Sequence, residues 1–69
     1  MTKKHFQIIA ENLNLQLHRC SSPAERQAGF VREAAAFDCL EALAISLANR
    51  FQMDFPRFNR SKFLAVALA

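Results

Sequence analysis

Phe6, Ile9, Ala10, Leu13 and Leu17 recur at three- and four-residue spacing, the interval that lines one face of an α-helix. The spacing predicts a first helix over residues 2–18, with Thr2 as its N-cap. Ile8 and Leu15 fall off this face and either widen it or stand exposed for a partner. Arg19-Cys20-Ser21-Ser22 interrupts the pattern, and Ser22-Pro23-Ala24-Glu25 then spells a helix start. Serine takes the N-cap, proline the first helical position where its missing N–H costs nothing, and glutamate the third position of a capping box.

From Pro23 the apolar pattern continues without a proline to Gln52. It predicts a helix over 23–52, a rod of roughly 45 Å at 1.5 Å per residue. Gly29 costs about 1 kcal/mol relative to alanine within such a rod, and is expected to kink it or to let another backbone approach. Two apolar rows run along it: Phe30, Ala34, Phe37, Ala44, Ala48 and Phe51, then Val31, Ala35, Ala36, Leu40, Leu43 and Leu47. One row is expected to pack on the other helices and the other to form a homodimer seam, for which Val31, Ala35, Leu40, Leu43 and Leu47 are the candidates. The alternative is one wide core face in a monomer. Met53-Asp54-Phe55-Pro56 makes the second break, because the residue before a proline is pushed out of helical geometry. A last helix is predicted over 60–68, with Asn59 as N-cap and Phe58 stapled against Phe63. The expected fold is all-α: one domain over 1–69, with three helices and a long central one.

A chain of 69 residues buries only about 60% of its unfolded surface, so its core needs a supplement. Cys20 and Cys39 are too few for a disulfide framework, and no signal peptide is read before them, so free thiols and a cytoplasmic setting are expected. Cys39, among apolar neighbours, is expected to be a small buried hydrophobe. His18 and Cys20 lack two further ligands for a metal, and no cofactor is expected. A partner chain is the supplement that remains. The apolar run Phe63 to Ala69 is far short of the roughly 20 residues of a membrane span.

Charge is segregated. Residues 1–19 carry Lys3, Lys4 and Arg19 against Glu11; residues 20–54 carry five carboxylates against three arginines; residues 55–69 carry Arg57, Arg60 and Lys62 unopposed. The basic cluster at the start of the last helix could grip phosphate, although that helix turns apolar after Lys62, unlike a major-groove reader. No catalytic constellation assembles: Ser22 is explained as a cap, and Glu33, Asp38 and Glu41 lie on the outer side of the long helix with no apolar pocket in view. The expectation is a binding protein and not an enzyme.

The segment Phe55-Pro56-Arg57-Phe58-Asn59-Arg60-Ser61-Lys62-Phe63-Leu64-Ala65 resembles the C-terminal signature of very small proteins of tailed, transposable phages and mobile elements, Phe-Asp/Asn-Arg-x-Arg/Lys-Phe-Leu-x-Ala. The opening Met1-Thr2-Lys3-Lys4-His5-Phe6-Gln7-Ile8-Ile9-Ala10 is similar to theirs as well. Asn59 stands where aspartate is common. The resemblance covers about a third of the chain. In size and expected helical dimer form, and not through a motif, the chain is also similar to small early proteins of transposable phages that are host-takeover factors, which implies a role in the host cytoplasm: binding and switching off a host protein, such as a quorum-sensing transcriptional activator through its DNA-binding region or a type IV pilus assembly ATPase. The candidate partner-binding residues are Glu33, Asp38 and Glu41 with the aromatics Phe30 and Phe51, and the basic Arg57, Arg60 and Lys62. The alternative function is a small nucleic-acid-binding regulator using the same three basic residues, and a third is a structural subunit.

Overall fold

The computed structural model describes residues 2–69. Four helices follow one another: α1 Lys3–Cys20, α2 Pro23–Gln27, α3 Ala34–Asp54 and α4 Arg60–Ala67. None of them is long and apolar enough to cross a membrane. Thr2 caps α1 as the spacing predicts, its N–H donating to His5 Nδ1 at 3.2 Å. Ser22 and Glu25 form the expected reciprocal box at the start of α2. The Glu25 N–H donates to Ser22 Oγ at 3.2 Å and the Ser22 N–H to Glu25 Oε1 at 2.9 Å.

The single helix expected over 23–52 is corrected to two, α2 and α3, so the count rises from three helices to four. Gly29 is the cause. Its φ of +80° lies in the left-handed region that glycine enters without a Cβ penalty. The Gly29 N–H donates to Arg26 O at 3.0 Å and the Phe30 N–H to Glu25 O at 2.9 Å, the pair of bonds that closes a Schellman helix stop. What the pattern presented as a kink is a full termination. The loop that follows is tied to the end of α1: the Glu33 N–H donates to Cys20 O at 3.1 Å, and fully buried Ser21 donates through Oγ to Phe30 O at 3.1 Å. These bonds satisfy backbone groups that a continuous helix would have satisfied internally.

α3 runs antiparallel to α1, because Phe51 near its end packs on Phe6 near the start of α1, with ring centroids 4.9 Å apart. α4 lies parallel to α1. Phe58, just before its start, meets Phe6 at 4.6 Å, while farther along α1 Asn14 donates to Ala67 O at its end and Asn14 and His18 bond to Ala69 O just beyond. Ala10, Ala44, Ala48 and Ala67 are all but fully buried where the three helices meet. Their small side chains allow close approach, and Leu13, Leu17, Phe58 and Phe63 supply the bulk. The inward row of α3 is thus the first of the two, from Phe37 onward; Phe30 stands exposed in the loop and Ala34 is exposed on the first turn.

Cys39, expected to be buried, is exposed, and Cys20 is the buried thiol. Cys39 precedes buried Ala44 by five positions, which at 100° per residue turns it about 140° away from the core.

Candidate functional site

Two consequences of the α3–α4 turn bring distant parts of the chain together. Phe55 ends α3 in an extended conformation because Pro56 forbids another helical residue before it. The Phe58 N–H then closes a tight turn onto Phe55 O at 2.8 Å, and Asn59 starts α4 by accepting the Lys62 N–H on its side-chain oxygen at 2.9 Å. The turn therefore delivers Phe55, Arg57 and Phe58 onto the first two turns of α1. Phe6, Phe51, Phe58 and Phe63 form a contiguous aromatic cluster, with centroid separations from 4.6 to 5.8 Å and tilted or edge-on rings, the geometry that aromatic quadrupoles favour. The staple expected between Phe58 and Phe63 is present at 5.4 Å.

Beside this cluster lies a half-open cleft of about 780 Å³. α1 contributes Lys3 and Phe6, the turn contributes Phe55, Arg57 and Phe58, and α4 contributes Lys62 and Phe63. The floor is aromatic. The charged residues of its lining are Lys3, Arg57 and Lys62, all cationic and all exposed, with no carboxylate among them. None of the three makes an ion pair among the described residues, whose salt bridges are Arg32–Glu25 at 2.8 Å and Arg50–Asp54 at 2.9 Å. The arrangement can hold an apolar group on the rings while presenting positive charge to whatever flanks it.

The expected site residues divide among several places. Arg57 and Lys62 come together on the cleft; Arg60 does not, because its Nε donates to Asn49 Oδ1 on α3 at 2.8 Å. Phe51 belongs to the aromatic cluster, half-buried, and Phe30 is 55% exposed at the opposite end of the molecule. Asp38 and Glu41 are exposed on α3 away from the cleft, and Glu33 is the N-cap of α3. Of the candidate seam, Val31 leaves the row because it sits in the loop, and Ala35 points about 140° away from Leu40 on the helix. Leu40 and Leu47 are half-buried and Leu43 is 47% exposed.

Lys3 and Phe6 were not legible as site residues in the sequence, whereas Phe55, an aromatic at a helix end, was readable as an interface anchor. Lys3 lies 54 positions from Arg57, and only the parallel docking of α4 on α1 joins them. The paired phenylalanines around Pro56 were the available hint. Comparison with protein-family models, with curated proteins and with solved structures finds no match.

Proposed function

We propose that this chain is a binding protein which seats an acidic, apolar-anchored segment of another protein in the Lys3–Arg57–Lys62 cleft and thereby blocks that protein. The observation that carries the reading is the convergence of three cations, without a carboxylate, on an aromatic floor. Magnitudes divide the work between the two features. Exposed ion pairs contribute from about 0 to 1 kcal/mol each, whereas burying one large apolar side chain contributes about 1.5–3 kcal/mol. The anchor supplies affinity, and the cations orient the segment and speed its arrival. The resemblance to small phage proteins supplies the biological setting: a host-takeover factor whose partner is a host protein, of the kind represented by a transcriptional activator or a pilus ATPase. The chain works as a homodimer, using the outer flank of α3, where Leu43 is 47% exposed and Leu40 and Leu47 are half-buried.

Binding is read by titrating labelled peptides that carry a central Leu or Phe flanked by Asp and Glu, and by capture from host lysate with and without nuclease. Charge reversal at Arg57 and Lys62 together should weaken peptide binding about tenfold or more, from two lost ion pairs and the repulsion that replaces them, and slow association, while circular dichroism stays unchanged. Peptide affinity insensitive to that reversal overturns the reading. The second reading, nucleic-acid binding, is favoured by the same cations; a gel shift lost on the same reversal, with no peptide bound, would install it instead.

A further inference from the structure

The outer flank of α3 carries a row whose members alternate at three- and four-residue intervals: Glu33, Ala36, Leu40, Leu43, Leu47 and Arg50. That is the strict two-in-seven spacing of a helix–helix seam. Glu33, Ala36 and Leu43 are exposed, and Leu40 and Leu47 each turn one edge outward. Arg50 is 72% exposed by side chain and held in position by Asp54 at 2.9 Å.

The intervals along this row, three and four in alternation, read the same in both directions about a point between Leu40 and Leu43. If a second copy of α3 lies antiparallel across that point, Leu40 faces Leu43 and Ala36 faces Leu47, a small residue against a large one. Glu33 at one end then faces Arg50 at the other, opposite in charge, and the two-fold axis produces each contact twice. Cys39 and Ser46 border the row on its exposed side and are small enough to let the two backbones approach. A parallel pairing would instead set Glu33 against Glu33 and Arg50 against Arg50, and like charges oppose that arrangement.

Resting on the homodimer reading above, we infer that two copies associate through α3 in antiparallel register, with the two-fold axis between Leu40 and Leu43 and Glu33–Arg50 ion pairs closing both ends. The partner copy buries Leu43, which the monomer leaves at 47% exposure, and so adds to the small core of so short a chain.

The test is cysteine cross-linking in a Cys20→Ala/Cys39→Ser background, because the Glu33 N–H donates to Cys20 O at 3.1 Å and Cys20 would otherwise compete for a thiol placed there, with sedimentation run alongside. Glu33 and Arg50 lie 17 positions apart, about 25 Å along one helix, too far for a disulfide within a chain. On mild oxidation the double variant E33C/R50C should run as a covalent dimer, and E33C or R50C alone should stay monomeric on a non-reducing gel. Leu43→Glu should weaken the dimer at least about tenfold, because an unpaired charge is driven into the seam, and should leave the helical signal intact. Single-cysteine variants that cross-link as readily as the double variant would overturn the register while leaving the homodimer standing. A parent protein that sediments as a monomer would overturn both.

Discussion

Truncating Phe63 to alanine measures how much of the stability resides in the aromatic cluster. Phe63 is 4% exposed and meets Phe58 at 5.4 Å and Phe51 at 5.8 Å. Removing a ring buried to this degree costs the transfer of the ring plus the cavity it leaves, about 3–5 kcal/mol. Domains are stable by roughly 0.05–0.15 kcal/mol per residue, which for a chain of this length gives a total of roughly 3–10 kcal/mol. Phe63→Ala should therefore lose a third or more of the folding free energy and at the lower end unfold outright. Phe55 supplies the control: it is 36% exposed and its ring meets Phe6 at 5.6 Å. With no closed cavity left behind, Phe55→Ala should cost about 1–2 kcal/mol. The assay is urea denaturation followed by far-ultraviolet circular dichroism. Both variants are compared at one protein concentration, since self-association would couple stability to concentration. Equal losses for the two variants, or a loss below about 1 kcal/mol at Phe63, would refute the view that this cluster closes the core.

The other expectations concern the opposite end of the molecule. Gly29→Ala should destabilise by about 1 kcal/mol, the cost of placing a Cβ in the left-handed region; no atom lies within 4 Å of that Cβ, so denaturation should report a conformational penalty and no clash. Ser22→Ala should cost about 1 kcal/mol through loss of the cap, read in the same way. The Ser22 N–H, first among the causes, together with the Ser22 hydroxyl and Arg32, holds the Glu25 carboxyl below its ordinary value of 4.5. The folded state therefore gains from this group above that value and loses the gain as pH falls through the lowered one. Glu25→Gln should flatten that part of the stability curve, and a parallel acid limb in wild type and variant would contradict it. At dilute protein concentration an aromatic disulfide reagent should label one thiol quickly, Cys39, and reach Cys20 only on unfolding, because only the former is exposed.

Local chemistry was the legible part of the fold. The box at Ser22 and Glu25, the cap at Asn59 and the staple of Phe58 on Phe63 each depend on residues within five positions of one another, and each stands where the sequence placed it. The Schellman stop at Gly29 was equally local, but apolar spacing ran through Phe30, Ala34 and Phe37 as though the helix continued. One positive φ outweighed an eight-residue stretch of periodicity, helped by the bond from Glu33 to Cys20 that no local pattern encodes. Cys39 was misplaced for a related reason, since apolar neighbours in sequence lie on different sides of a helix. The cleft was the least legible feature, because its cations come from both ends of the chain and meet only once α4 has docked alongside α1.

The segment from Ser21 to Arg32 is fastened differently from the rest of the chain. No residue of α2 is buried. It is held by the Glu25–Arg32 ion pair, by Arg32 donating to Arg19 O, and by Arg26, which reaches Ala69 O at 3.1 Å and stacks over Phe37. The aromatic end is held by buried rings. The molecule is thus joined with two adhesives that respond to solvent in opposite directions. A strongly hydrated salt such as ammonium sulfate firms the ring contacts by being excluded from apolar surface while its ions screen the charged fastenings. Under conditions that a melting curve would register only as stabilisation, amide exchange between Ser22 and Arg32 should quicken while that of α1 and α4 slows.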